Sequence, residues 1–283
     1  MTLRQSWANA RRKLADLPDI DNPELESEIL LRHALDIGRT QFYLDLDKDL
    51  SSEQSQNCSQ IIERRLTGEP AAYIIGRREF FGLDFNVDRR VLIPRPETEL
   101  LVEETLRLVQ AQSLPARELR IVDIGTGSGA IAISLAVNLP QISVLATDIS
   151  ADALVVAAQN CLQHAVADRV TLRQGDLLEP LTGAVDILIA NLPYVTAAEL
   201  EKMPSVKYEP RQALDGGESG LATIFRLLPQ VDGKVKSGGD LLMEIGLGQS
   251  STVKKWIAEL YPSVTVQVLR DLAGIERVVK VHF

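Results

Sequence analysis

The stretch Asp-Ile-Gly-Thr-Gly-Ser-Gly, residues 123–129, decides the fold of this chain. It follows the apolar run Leu119–Ile124, a candidate buried strand, and precedes a helical pattern that begins at Ala130. Glycines at such a turn let a ligand approach the backbone, and the N–H groups of the next helix face that ligand. The spacing departs from the dinucleotide fingerprint Gly-x-Gly-x-x-Gly, because Ala130 occupies its sixth position. Taken alone, the stretch is also compatible with an ordinary tight turn.

The chain after this turn alternates strand patterns with helical patterns. Six further strand candidates are Ser143–Asp148, Val170–Arg173, Val185–Ala190, Asp240–Ile245, Val264–Leu269 and Glu276–Val281. Such alternation predicts an α/β fold, with a parallel sheet and helices on both of its faces. No helix separates the last two candidates, so we expect a terminal hairpin that adds one antiparallel strand in the edge region of the sheet.

The chain before the turn has a different character. Residues 1–78 carry apolar side chains at helical spacing, which predicts a small domain of four or five helices. One helix should begin at Asn22-Pro23, where a capping residue precedes a proline at the first helical position. Residues 79–93 alternate apolar and polar side chains and predict a β-hairpin linker. A further helix is expected from Glu97 to Gln112, within a third segment of residues 94–283 that carries the sheet.

Composition excludes several classes of function. The 283 residues are 45% hydrophobic, which indicates a globular chain. The net charge of -9 disfavours direct binding to the phosphates of bare nucleic acid. Cys58 and Cys161 have no partner pattern, and the three histidines are scattered, so neither a disulfide framework nor a metal site is expected. No apolar run reaches the length of a membrane span and no signal core is evident. We therefore expect a cytoplasmic protein without a metal.

Asp148 ends the second strand candidate and lies 19 residues after Gly129. A carboxylate at this place can accept two hydrogen bonds from a ribose diol. Taken alone, Asp148 could equally be an acid that caps the next helix. Combined with the glycine-rich stretch, it predicts a ligand that carries a nucleoside, and leaves open whether that ligand is a dinucleotide or S-adenosylmethionine.

The tetrapeptide Asn191-Leu192-Pro193-Tyr194 follows the fourth strand candidate directly. In open parallel sheets, ligand crevices lie off the carboxyl ends of the strands. The side-chain oxygen of Asn191 and the carbonyl oxygen of Leu192 are two acceptors, and Tyr194 offers a flat face. Pro193 donates no hydrogen bond and keeps Leu192 extended. Two acceptors beside a flat face suit a planar NH2 group, either a side-chain amide or the exocyclic amine of a base, although a turn after a strand would also explain the tetrapeptide.

The motifs DIGTGSGAI, TDIS and NLPY, in this order, resemble class I S-adenosylmethionine-dependent methyltransferases that modify planar nitrogens. Four more stretches resemble the release factor glutamine methyltransferase family (PrmC/HemK): IPRPETE at 93–99, EPR followed by LDGG at 209–217, EIG at 244–246 and RDLAGIER at 270–277. The resemblance covers nearly the whole chain. It implies a seven-stranded Rossmann-like methyltransferase sheet preceded by a small all-α domain and a β-hairpin linker.

The resemblance also implies a role for individual residues. The residues that it assigns to S-adenosylmethionine are Gly125, Thr126, Gly127, Ser128 and Gly129 under the methionine part, Asp148 at the ribose, Asp176 and Leu177 at the adenine, and Asn191. Asn191, Leu192, Pro193 and Tyr194 are assigned to the substrate and to catalysis. The family usually has a second proline where this chain has Leu192, but a backbone carbonyl survives that change.

The reaction implied by the resemblance transfers a methyl group to the side-chain amide nitrogen of the glutamine in the Gly-Gly-Gln motif of class 1 peptide chain release factors. The helical domain is expected to recognise this protein partner, and we expect a monomer that binds neither membrane nor nucleic acid directly. A ribosomal-protein glutamine methyltransferase would use the same tetrapeptide. An rRNA or DNA adenine methyltransferase is a second alternative, because Asn-Leu-Pro-Tyr also resembles the motif of ribosomal RNA adenine dimethyltransferases. A nucleotide-binding module without catalysis would leave the tetrapeptide unexplained.

Overall fold

A computed structural model describes residues 1–111, 119–202 and 204–283, with the backbone alone at residues 204 and 205. The described chain folds as two compact units, Met1–Arg77 and Arg78–Phe283.

The Met1–Arg77 unit is helical. Its helices are α1 Leu3–Leu14, α2 Pro23–Leu35, α3 Arg39–Leu44, α4 Ser52–Leu66 and α5 Ala71–Ile75. The predicted start of α2 is confirmed: the Asn22 side chain accepts a hydrogen bond from the backbone N–H of Leu25, and Pro23 is the first helical residue. The helices bury a common apolar core that includes Leu14, Leu30 and Phe42.

The sheet of the second unit has seven strands, as the sequence predicts. They are β3 Arg120–Ile124, β4 Ser143–Asp148, β5 Val170–Gln174, β6 Val185–Ala190, β7 Val235–Glu244, β8 Thr265–Arg270 and β9 Glu276–His282. Their order across the sheet is β5-β4-β3-β6-β7-β9-β8. Among the seven strands, β9 runs opposite to the other six, and it lies one position inside the edge formed by β8. The predicted mostly parallel α/β sheet with one antiparallel strand in its edge region is therefore confirmed.

The helices of this unit cover the sheet. They are α6 Glu99–Ala111, α7 Ala130–Asn138, α8 Ala151–Gln163, α9 Ala197–Leu200, α10 Ala222–Leu227 and α11 Ser250–Leu260. All six residues of β6 are buried, as expected of a strand covered on both faces. The helix expected from Glu97 begins as a 3-10 turn at Pro96–Thr98 before α6, and Gln112 lies outside the described residues.

The predicted hairpin is shorter than residues 79–93. It consists of β1 Arg77–Phe80 and β2 Leu83–Asn86, which form a two-stranded sheet of their own. Phe81 and Gly82 both have positive φ, of 52° and 73°, and this tight turn fixes where the two strands begin to pair. After Asn86 the chain turns again, because the Asp88 carboxylate accepts hydrogen bonds from the backbone and side chain of Arg90.

The buried side chain of Asn160 in α8 connects this hairpin to the glycine-rich turn. Its oxygen accepts a hydrogen bond from the backbone N–H of Asn86, and its nitrogen donates to the carbonyl oxygen of Ser128 at 2.8 Å. Because Asn160 is fully buried, these bonds hold the turn without competition from water. Within the described ranges, no helix has both the length and the apolarity needed to span a bilayer.

Candidate active site

The site lies where the strand order of the sheet reverses. From β3 the chain continues outward through β4 and β5, whereas β6 returns to the other side of β3. The ends of β3 and β6 are adjacent, with Ile124 opposite Ala190. Ligand crevices form at such a switch point because the loops after the two strands diverge to opposite faces. A cavity of about 350 Å³ opens there, and it is lined by residues of the second unit only.

The glycine-rich turn forms one wall of this cavity. Gly125 and Gly127 line the cavity and have positive φ, of 71° and 56°. A Cβ atom on Gly125 would lie 3.3 Å from the Leu192 side chain, whereas a Cβ atom on Gly127 would meet only open space. The first glycine therefore permits a close approach to the tetrapeptide, and the second leaves backbone exposed to a ligand.

The other three residues of the glycine-rich turn hold its backbone in place. Thr126, Ser128 and Gly129 are buried and do not line the cavity. The Thr126 hydroxyl donates to Asp123 at 2.6 Å, and Gly129 precedes the first residue of α7. Of the five residues assigned to this turn, two therefore face the cavity and three hold its backbone in place.

Asp148 lies at the end of β4 and lines the cavity. Its Oδ2 accepts from the backbone N–H of Gly127 at 2.8 Å, and its Oδ1 accepts from the backbone N–H of Ser150 at 2.9 Å. Burial raises the pKa of this carboxyl, and the backbone N–H donors oppose that effect. Asp148 thus orders the glycine-rich turn and offers its remaining lone pairs to the cavity.

Asp123 is a residue whose role the sequence did not reveal. Its carboxyl is fully buried at the end of β3, and its Oδ1 has no hydrogen-bond partner among the described residues. Burial raises the pKa of Asp123 to about 7. The residue belongs to the glycine-rich stretch itself, but its burial depends on β4 and β6 on either side of β3.

The raised pKa of Asp123 predicts how stability depends on pH. In the unfolded chain the carboxyl titrates near 3.8, so between that pH and about 7 only the folded state keeps the proton. The stability contributed by this proton is therefore present at low pH and is lost as the pH rises to about 7. We expect the thermal midpoint of the wild type, relative to that of Asp123→Asn, to fall between about pH 5 and 7 and then to level off.

The measurement is the thermal midpoint of both proteins without cofactor at a series of pH values. Asp168→Asn is the control, since the Asp168 side chain is 79% exposed. A constant difference between the wild type and Asp123→Asn across the series would contradict this prediction.

Asn191 and Leu192 line the same cavity and lie beside Gly125. The Asn191 side-chain nitrogen donates to the Thr98 hydroxyl oxygen at 3.0 Å, so its side-chain oxygen is the acceptor left for a ligand. Leu192 and Pro193 also line the cavity, and the Leu192 side chain is buried in the core beside Gly125.

Tyr194 lies apart from these three residues. It does not line the first cavity but lines a second one of about 330 Å³, together with Gly246, Leu247 and Arg277. Its hydroxyl donates to Glu244 Oε1 at 3.0 Å. Burial raises the pKa of Tyr194, so its hydroxyl keeps its proton. The structure therefore brings together three members of the tetrapeptide and turns the fourth toward the end of β7.

Asp176 and Leu177 complete the floor of the first cavity. Asp176 forms an ion pair with Arg226 of α10, while Leu177 is buried with a positive φ of 50°. An apolar side chain at this place can cover one face of a planar base.

The residues present fit S-adenosylmethionine. The cavity combines an acid at Asp148, exposed backbone at Gly127 and apolar side chains at Leu177 and Leu192. Thr147 also lines the cavity, and its buried hydroxyl oxygen has no hydrogen-bond partner among the described residues. Across residues 1–111, 119–202 and 204–283, no three His, Cys, Asp or Glu side chains cluster to hold a metal ion.

Known proteins are similar to this chain over nearly its whole length. The family model described as PrmC N-terminal domain matches residues 5–76, and the one described as Methyltransferase small domain matches residues 99–206. A curated release factor glutamine methyltransferase from Moorella thermoacetica is 44% identical, over 98% of this chain and 97% of its own length. A second, from Koribacter versatilis, is 39% identical over 99% of this chain and 98% of its own.

The solved structures include the hMettl16 catalytic domain in complex with a MAT2A 3′UTR hairpin, with a TM-score of 0.57 and 19% identity. The alignment covers 72% of this chain and 76% of that one. At this identity the likeness shows that the two chains share a fold.

Proposed function

We propose the function of this chain on the premise that it belongs to the release factor glutamine methyltransferase family, which its full-length relatives show. It is an enzyme that methylates a glutamine side chain of a release factor, and its methyl donor is S-adenosylmethionine. One observation in the structure carries the proposed site: Asn191 lines the same cavity as the glycine-rich turn, and its side-chain nitrogen is bound to Thr98, which leaves its side-chain oxygen as the acceptor.

The site acts on a poor nucleophile. An amide nitrogen shares its lone pair with the neighbouring carbonyl group, so it attacks only when it is well oriented. When bound, S-adenosylmethionine supplies an electrophilic methyl group on a sulfonium. The Asn191 side-chain oxygen and the Leu192 carbonyl oxygen would accept the two amide hydrogens of the glutamine and aim its nitrogen at that methyl group. Orientation of this kind can lower a barrier by up to ~7–11 kcal/mol.

The same two oxygens also stabilise charge. As the new bond forms, positive charge develops on the glutamine nitrogen, and fixed dipoles that point oxygen atoms at this nitrogen oppose that charge. Dipoles that the fold holds in place before the reaction would spare the solvent from reorganising during it.

Among the described residues, the acidic side chains that line the cavity are all engaged in other contacts. Three acidic side chains line the cavity, and each already has a partner. Asp148 accepts from two backbone N–H groups, Asp176 pairs with Arg226, and Asp215 pairs with Arg211. The arrangement therefore favours catalysis by orientation over proton abstraction before methyl transfer, and the methylated nitrogen would lose its extra proton to solvent afterwards.

The finer assignments are part of the proposal. The substrates would be class 1 release factors, the target would be the glutamine of their Gly-Gly-Gln loop, and residues 1–78 would contribute to recognition of that partner. The linker at 79–93 would join them to the catalytic segment, 94–283. We further propose a cytoplasmic monomer that does not bind nucleic acid directly, because its net charge is -9.

The test offers radiolabelled S-adenosylmethionine to purified release factors, to the same factors with Gly-Gly-Gln changed to Gly-Gly-Ala, to ribosomal proteins and to ribosomal RNA. Label on the unaltered release factors, with none on the altered ones, is the expected result. Label on the RNA alone or on a ribosomal protein alone would overturn the proposal in favour of one of the alternative methyltransferases.

A further inference from the structure

The Asn191 amide has two ends with opposite hydrogen-bonding character. Its oxygen accepts and its nitrogen donates, and the two ends have nearly the same size. Packing alone therefore cannot select the orientation in which the oxygen is the free end. A flipped side chain would present its own NH2 group to the NH2 group of the substrate glutamine, which removes one of the two acceptors. Some neighbour has to select between the two orientations.

Thr98 is the neighbour that touches the Asn191 amide. It ends the 3-10 turn Pro96–Thr98, is 4% exposed, and its hydroxyl oxygen accepts from the Asn191 nitrogen at 3.0 Å. A hydroxyl can also donate, however, so Thr98 selects one orientation of Asn191 only if its own hydrogen points elsewhere.

Glu244 is the acceptor toward which the hydrogen of the Thr98 hydroxyl would point. It ends β7, is 1% exposed, and accepts from the Tyr194 hydroxyl through Oε1, while Oε2 has no assigned partner among the described residues. The Thr98 hydroxyl lowers the pKa of this carboxyl, as a donor to a carboxylate does, although burial raises it by more. Glu244 Oε2 has no hydrogen-bond partner among the described residues, and an ionised Glu244 would accept the Thr98 hydrogen and leave the Thr98 lone pairs to Asn191.

The segment that carries Thr98 is anchored at both sides of this residue. Arg95 forms an ion pair with the buried Glu209, which also accepts from the backbone N–H of Ile93. Glu97 lies 3.5 Å from Arg277 of β9. These bonds fix the turn at several points, which is what a group that must orient its neighbour needs.

Resting on the function proposed above, we propose that Thr98 is a positioning residue, which with Glu244 and Tyr194 keeps the Asn191 side-chain oxygen turned toward the substrate amide. The structure shows the hydrogen bond from the Asn191 nitrogen to the Thr98 oxygen, and the proposal adds a second one in the same direction, from the Thr98 hydrogen to Glu244. This role explains why the IPRPETE stretch at 93–99, far from the tetrapeptide in sequence, belongs to the same site.

The test compares Thr98→Val with Thr98→Ser. Valine keeps the shape of threonine and removes the hydroxyl, whereas serine keeps the hydroxyl and removes a methyl group. We expect Thr98→Val to lower kcat on a purified release factor by about 10- to 100-fold, the range typical of residues that orient a reactive group. The KM for the release factor and the Kd for S-adenosylmethionine should each change by no more than about threefold, and Thr98→Ser should restore most of the rate.

Thr105→Val is the matched control. Thr105 is also fully buried, in α6, but its hydroxyl donates to the carbonyl oxygen of Leu101 within the same helix. It should keep the wild-type kcat, since its hydroxyl has no contact with the tetrapeptide.

A second comparison asks whether Thr98 acts through Asn191. In an Asn191→Ala background there is no amide to orient, so adding Thr98→Val should slow the enzyme no further. Where Thr98→Val proves too unstable to assay, Glu244→Gln takes its place, because the new amide can donate to the Thr98 oxygen and compete with Asn191. It too should lower kcat with little change in the Kd for S-adenosylmethionine.

Wild-type kcat in Thr98→Val would overturn the inference, as would wild-type kcat in Glu244→Gln. Equal losses in Thr98→Ser and Thr98→Val would overturn it as well, since packing and not the hydroxyl would then be responsible. A full further loss in the double variant would show that Thr98 does not act through Asn191. Each of these outcomes leaves wild-type methylation intact, whereas failure of the proposed function would appear as a wild type that does not label release factors.

Discussion

Replacing Asn191 with alanine is expected to lower kcat for methylation of a release factor by roughly 10²–10³-fold, the loss typical of removing one preorganised polar contact to a reacting group. The variant loses the side-chain acceptor, so the glutamine amide is held by the Leu192 carbonyl oxygen alone and can rotate out of line with the methyl group. The Kd for S-adenosylmethionine should change far less, because the glycine-rich turn and Asp148 remain in place.

The measurement is a single-turnover methylation assay with saturating cofactor, beside calorimetry for cofactor affinity. Asn138→Ala is the matched control, since Asn138 is an exposed residue at the end of α7 remote from the cavity, and its side chain bonds only to the carbonyl oxygen of Ser134. Near-wild-type turnover of Asn191→Ala would refute the catalytic role of this residue.

Replacing Asp148 with asparagine is expected to weaken S-adenosylmethionine binding by about 10- to 100-fold, because a charge-assisted hydrogen bond contributes ~1.5–3 kcal/mol. Both carboxylate oxygens accept from backbone N–H groups, of Gly127 and Ser150. An asparagine presents an NH2 group to one of these donors, so the variant loosens the turn and also loses charge at the proposed ribose contact.

Calorimetry with S-adenosylmethionine measures this effect directly, and titration with NAD tests the dinucleotide alternative in the same protein. Asp168→Asn serves again as a control, because it removes an equal charge from a mostly exposed position. Unchanged cofactor affinity in Asp148→Asn would mean that this acid only orders the turn. Tight binding of NAD by the wild type would overturn the choice of ligand.

The resemblance of the motifs to release factor glutamine methyltransferases is confirmed by the full-length relatives. The motifs could be recognised from the sequence because each is a local pattern. These patterns are a strand, a glycine-rich turn, and a polar tetrapeptide at the end of a strand. Strand bounds were close for the same reason, as for Ser143–Asp148 and Val185–Ala190, where buried apolar runs end abruptly in turn residues.

Partners within the site were much harder to predict. The sequence assigned no individual role to Thr98 or Asp123. Asp123 has a pKa of about 7 only because its neighbours bury it. Tyr194 lies two residues after Leu192, yet its hydroxyl bonds to Glu244 of β7 and not to a group in the first cavity. Side-chain direction after a strand depends on the surrounding chain, which a local pattern does not contain.

The sequence by itself determined the class of fold, the glycine-rich turn and the acceptors of the tetrapeptide, because strand and turn formation depend on residues close together in the chain. Only the tertiary structure decided that β6 lies beside β3, that Thr98 meets Asn191 from 93 positions away, and that Tyr194 turns to Glu244. These contacts are chosen by burial and hydrogen-bond satisfaction across the whole sheet, and such choices exist only once the chain has folded.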